Sequence, residues 1–206
     1  MLKSLTFAVA TLVVLASPAL AGPPLICHPF VTDSGRLIAW GTGPSWNTPD
    51  QSYDIRKLVA DTTAALTPDQ PVLTRMENLR RATIYAMRDA AVAEQLLRAL
   101  LNRALSTTNN GSAWFDAGYL VEAYRQGVHL RADRKNPAAW AAVDETIRVD
   151  GYGFVKKAIA MVGPSEEMEL AASLMTQGAV ADAHRARAAK AGAGSLVAKN
   201  LARLAY

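Results

Sequence analysis

Residues 72–106 read VLTRMENLRRATIYAMRDAAVAEQLLRALLNRALS, and they contain neither Pro nor Gly. Met76, Leu79, Thr83 and Met87 recur at helical spacing in the first half. In the second, Val92, Leu96, Ala99, Leu100 and Arg103 do the same, with Leu97, Leu101 and Ala104 beside them. An apolar arc this wide implies a helix packed on two sides. Asp89 stands between the two patterns where an N-cap belongs, so the stretch predicts helices over 72–88 and 90–106 joined by a short turn. Thr74 and Glu77 have the spacing of a capping box for the first helix, whose start near Pro71 is the alternative.

Downstream the same period continues and predicts helices near 113–127, 137–149, 152–162, 165–177, 179–191 and 195–205. One more is predicted upstream, near 51–66. Asn136-Pro137 reads as an N-cap with Pro at N1, and Ser112, Asp150 and Ser195 as further caps. Gly178 reads as a C-cap. Alanine, the best helix former, occurs 39 times. Seven of the ten Pro lie between Pro23 and Pro71, which leaves the rest of the chain helix-compatible. The expected fold class is all-α: antiparallel helical hairpins stacked as a short solenoid or an irregular bundle over 51–206.

Upstream of the helices, residues 22–50 read GPPLICHPFVTDSGRLIAWGTGPSWNTPD. Pro and Gly exclude a helical period. Ile26, Phe30, Leu37, Ile38, Trp40 and Trp46 exclude a free tail. The segment is expected to lie as an extended strap on the helices, with Cys27 largely buried and a looser turn over Thr32–Arg36. Residues 1–21 have Lys3, an uncharged apolar run from Leu5 to Leu15, and Ala19-Leu20-Ala21 as an A-x-A cleavage signal. They read as a secretory leader cut between Ala21 and Gly22, which places the mature chain in the periplasm or outside the cell. No later stretch is apolar enough to span a membrane. Removing Lys3 lowers the formal charge from +4 to +3, and export argues against nucleic acid as a partner.

The chemistry-bearing residues are few. A single Cys and three His exclude an intramolecular disulfide and a multi-cysteine metal centre. Cys27-His28 is the most unusual pair. It reads as an apolar anchor of the strap, as a soft-metal or haem ligand pair, as a redox or nucleophilic thiol, or as the link of a disulfide-bonded homodimer. His129 follows Gly127 at a helix end, and His184 sits beside Arg185 and Arg187 on what reads as a solvated face. Asp116 with Glu122, and Asp144 with Glu145, lack the spacing that puts two acids on one helical face. Glu166, Glu167 and Glu169 crowd a helix N-terminus, where the macrodipole favours acids. No catalytic motif occurs. The aromatic residues are the better binding candidates, with Trp40, Trp46, Trp114, Tyr119 and Trp140 foremost. The last acid is Asp182, and Arg185, Arg187, Lys190, Lys199 and Arg203 make the C-terminal segment basic.

Two further patterns bear on organisation. Residues 85–94, YAMRDAAVAE, align without gaps with residues 173–182, SLMTQGAVAD, and both span an expected helix–turn–helix joint. Trp114-Phe-Asp-Ala-Gly118, Arg125-Gln126-Gly127 and Asn136-Pro137-Ala-Ala-Trp140 resemble the first helix, turn and boundary of tetratricopeptide-like helical-hairpin repeats over 113–162. Ala117 stands where that signature has Leu, and the step from Trp114 to Gly127 is two residues longer. The resemblance implies a helical-hairpin stack and a binding or scaffolding role toward a protein or peptide. It implies no cofactor and no catalytic residue.

Overall fold

The computed structural model describes residues 24–107 and 109–204; the expected leader and its cleavage site lie outside them. The described chain is helical: α1 (Pro24–Cys27), α2 (Leu58–Ala65), α3 (Val72–Ala86), α4 (Ala90–Ser106), α5 (Gly111–Gly127), α6 (Ala141–Thr146), α7 (Gly151–Val162), α8 (Glu166–Met175), α9 (Gly178–Ala188) and α10 (Leu196–Leu204). Single 3-10 turns lie at Ile55–Lys57, Val128–Leu130 and Pro137–Trp140. No strand occurs among the described residues, and no described helix is long and apolar enough to cross a membrane.

Local chemistry sets most boundaries. The Asp89 carboxylate accepts from the Ala91 and Val92 amides and starts α4 as its spacing predicts. Asp150 caps α7 through Gly153, and Ser195 accepts from Ala198 at the start of α10. Asn110, not Ser112, caps α5 by accepting from Ala113. The capping box fails, because α3 begins at Val72 after Pro71. Thr74 and Glu77 then lie inside the helix and turn to other partners. Gly178 does not close α8. It opens α9 at φ +57°, a left-handed conformation that suits Gly. The helices expected over 51–66 and 137–149 are shorter, and each begins as a 3-10 turn.

α5 is the centre of an irregular bundle. It packs against α1, α3, α4 and α7, and almost all of its residues are buried. Its closest neighbour is α7, and two glycines permit that approach. A Cβ on Gly118 would stand 2.5 Å from the Gly151 carbonyl oxygen, and one on Gly151 would stand 2.8 Å from that of Gly118. α6 packs on α4, and α8 folds back on α9. Leu96 and Leu100 are in the core, as the wide arc of α4 requires.

The strap follows the polar stripe of α3. It opens with the helical turn α1, which corrects the fully extended reading, and it buries Leu25, Ile26, Phe30 and Ile38. Cys27 is only partly buried, contrary to expectation. An extended segment with no strand beside it needs other partners for its amides and carbonyls. Gln70 just ahead of α3 and Thr74, Asn78, Arg81 and Tyr85 within it supply them at steps of three and four residues, one helical face. Gln70 and Asn78 donate to the Arg36 carbonyl, and Thr74 donates to that of Ser34. Asn78 accepts from Ile38, and Arg81 donates to the Ile38 carbonyl at 2.7 Å. The Tyr85 hydroxyl donates to Ala39 and accepts from Asp50. Asn200 of α10 completes the seam by accepting from and donating to Val31.

Two buried ion pairs involve α3, one within the helix and one joining it to α5. Arg80 grips Glu77 with Nε and Nη2, at 2.8 and 2.9 Å, and donates through Nη1 to the Ile26 and Trp46 carbonyls. Glu77 also accepts from Arg81 and from the Phe30 amide. Burial pushes Glu77 upward, but the two guanidiniums outweigh it and hold the carboxyl below its usual range. Arg75 donates from Nη1 to both oxygens of Asp116, at 2.8 and 3.1 Å. Complete burial there pushes Asp116 up to about 6, against the opposing pull of Arg75 and Arg103.

Candidate functional site

The aromatic residues singled out in the sequence do not share a surface. Trp40 lies on α3, edge-on to Tyr85 and 4.9 Å from the Arg80 guanidinium, and half-buried Trp46 is held near it by its carbonyl. Trp114 packs edge-on against Phe154, with Lys157 Nζ 3.4 Å from its ring centroid. Tyr119 is wholly enclosed beside Phe115. Trp140 is buried under Arg131 and donates from Nε1 to the Ala132 carbonyl. Three of the five thus serve the core, where aromatic burial stabilises most.

Cys27 and His28 end α1 at its half-buried rim. Burial raises the Cys27 thiol above its ordinary range and outweighs the nearby Arg80, so the thiolate that redox and nucleophilic chemistry need is disfavoured. Burial also lowers His28, whose Nε2 has no hydrogen-bond partner. Among the described residues no group of three His, Cys, Asp or Glu could hold a metal ion.

Among the described residues, a relay of titratable groups opening on a cleft is built from α7, α8 and α9. Asp150 starts α7, so Tyr152 sits in its first turn. Ser165 caps α8 through Met168, which places Glu169 one turn in, facing α9. The two-residue joint at Thr176-Gln177 folds α9 back and brings His184 between them. His184 is buried rather than solvated, which corrects the expectation from its basic neighbours. Its Nδ1 is 2.6 Å from Glu169 Oε2 and its Nε2 is 2.7 Å from the Tyr152 hydroxyl. Arg187 Nη2 also lies 2.7 Å from Nδ1, so the protonation state of the ring sets which nitrogen donates and which accepts. Arg187 donates from Nε to the same Oε2 at 2.7 Å.

Glu169 therefore does more than complement a helix terminus. Burial pushes its carboxyl up, but the hydrogen bonds from His184 and Arg187 hold it below the usual range. Burial raises the Tyr152 phenol above its ordinary value. A carboxylate, an imidazole and a hydroxyl in line resemble the order that activates a nucleophile in hydrolases. Here the terminal hydroxyl is a phenol, and burial disfavours its phenolate.

Above the relay is an open cleft of about 490 Å³ walled by Tyr152, Lys156, Ile159, Ala179, Val180, Ala183 and Arg187. The sequence analysis missed it because Tyr152, Glu169 and His184 lie 17 and 15 residues apart on three helices, a separation with no local signature. No protein-family model matches the chain, and comparison with curated proteins and with solved structures finds no match.

Proposed function

We propose that the chain is an exported helical binding protein that holds a ligand in the cleft between α7 and α9. The observation that carries this reading is His184, buried and fixed between Glu169 and Tyr152 at the edge of an open cleft. A side chain locked by partners on both ring nitrogens is preorganised for a ligand. The cleft volume falls in the range of small-molecule sites, roughly 300–1,000 Å³. The helical-hairpin resemblance of 113–162 points to the same class of function, and the apolar run ahead of Ala19-Leu20-Ala21 supports export.

A fragment library of mixed charge, followed by amide chemical shifts of the full mature chain, tests the site. Hits are expected to move Tyr152, Val180 and His184, and Tyr152→Phe to weaken them. Hits confined to other faces would remove the cleft from this reading. Export is tested by intact mass, which should place the N-terminus of the secreted protein at Gly22. A second reading, a soft metal or haem at Cys27 and His28, draws on the unpartnered buried His28 Nε2. Stoichiometric metal in the purified protein, lost in Cys27→Ser, would favour it.

A further inference from the structure

The charges around the α7–α9 cleft do not cancel. Lys156 is exposed on one wall, its Nζ 4.7 Å from the centre of the Tyr152 ring, and it makes no ion pair among the described residues. Arg187 stands on the opposite wall, half-exposed, with Nε committed to Glu169. Glu169 is the single acid on the lining, and its Oε2 already accepts from both His184 and Arg187. Asp150, the other carboxylate whose charge acts on the Tyr152 phenol, is occupied as the α7 cap, and Glu122 is held by Arg125 and the Tyr152 amide. Arg187 is thus paired with Glu169, and Lys156 is the cation on the lining left without an acid partner among the described residues. The remaining wall is apolar, made by Ile159, Ala179, Val180 and Ala183, with Val180 49% exposed at the rim.

We propose that this cleft takes a small amphipathic anion: a carboxylate on a short hydrocarbon or aromatic body. The acid group sits between Lys156 and Arg187, and the apolar body lies on Ile159, Ala179 and Val180. The inference rests on the cleft being the ligand site. Charge-assisted hydrogen bonds from the two cations supply orientation, and removal of the apolar wall from water supplies affinity. A cationic ligand would meet the unpaired charge of Lys156, and the acid on the lining, Glu169, is already paired with Arg187. A small hydrophilic anion would leave the apolar wall wet.

The test is an amide chemical-shift titration of the full mature chain with octanoate, octan-1-ol, octylamine and acetate. Octanoate is expected to move Lys156, Ile159, Val180 and His184 saturably, about tenfold more tightly than any of the other three. Rising salt should weaken it, because the attraction is partly exposed and screened. Lys156→Glu should lower octanoate affinity by about tenfold or more while the rest of the spectrum stays in place, since Lys156 is exposed. Octan-1-ol or octylamine binding in the cleft as tightly as octanoate would overturn the anion class and leave the cleft standing as a ligand site. Absence of any cleft shift with all four probes would overturn the anion class as well. The cleft reading itself would then fall only if the mixed-charge fragment library also left it silent.

Discussion

The seam between the strap and α3 and the cleft between α7 and α9 both bury a glutamate against an arginine, and both hold that glutamate below its usual range. They differ in what is left over. Around Glu77 the carboxylate is enclosed: Arg80, Arg81 and the Phe30 amide close on it, and Arg80 donates through Nη1 to two strap carbonyls. Around Glu169 the buried relay ends in Tyr152, which is half-buried and beside an unpaired Lys156 at an open cleft. A buried charge enclosed by partners holds the fold together. A buried charge whose chain of partners runs out to a concave surface leaves groups free for a ligand. The comparison predicts that substitutions in the seam cost stability and that substitutions at the cleft cost binding.

The largest effect is expected for Arg80→Ala, which takes the more deeply buried guanidinium from Glu77 and leaves the Ile26 and Trp46 carbonyls without their donor. Loss of one partner from a buried pair costs about 3–5 kcal/mol. Denaturant unfolding measures the cost, and limited proteolysis within 28–46 should show the strap released. A loss under about 1 kcal/mol would break the distinction between seam and cleft. Leu96→Ala and Leu100→Ala test the core itself and should each cost about 2–5 kcal/mol. Changes within error at both would mean that α4 does not bear on the core.

A smaller effect, about 1–3 kcal/mol, is expected for Tyr85→Phe, which leaves the Ala39 carbonyl and the Asp50 amide without their shared hydroxyl. The pH dependence sharpens the comparison by sign. Glu77 is held low in the folded chain, so its contribution is present above the usual carboxylate range and lost as pH falls through the folded value. Asp116 moves the opposite way. Its folded value is about 6 against an ordinary 3.8, so its contribution is present below 3.8 and lost as pH rises through about 6. The cost of Asp116→Asn should therefore be greater at the acid end of that window than at the neutral end. A cost that grows toward neutral pH would show that pairing with Arg75 outweighs burial. The smallest effect is expected at the cleft: Lys156→Gln should change stability by less than about 0.5 kcal/mol, since nothing in the fold depends on its charge.

Much of the fold was legible along the chain. The α3–α4 joint was readable because Asp89 separates two helical periods and its carboxylate needs only amides two and three residues on. The caps at Asp150 and Ser195 are local in the same way. The strap was legible in part: Ile26, Phe30 and Ile38 marked it as bound. That α3 would present Gln70, Thr74, Asn78, Arg81 and Tyr85 to its backbone was not readable, because polar residues at helical spacing look the same whether they face water or another chain segment. The paired reading of Thr74 and Glu77 as a cap shows the same ambiguity. Both residues bind groups forty or more residues away. Trp114, Tyr119 and Trp140 pointed to binding by residue type, but an aromatic residue suits a core as well as a groove.

Local sequence alone predicts that the described chain is helical, where most helices begin and that the strap is held. Those outcomes follow from backbone propensity, capping and apolar period, which act over a few residues. Which charged residues are buried and which line an open cleft depends on packing between distant segments. His184 shows the reason. Beside Arg185 and Arg187 it reads as a solvated residue. What buries it is the meeting of Tyr152 and Glu169 from two other helices, and burial is a property of neighbours in space that no local pattern encodes.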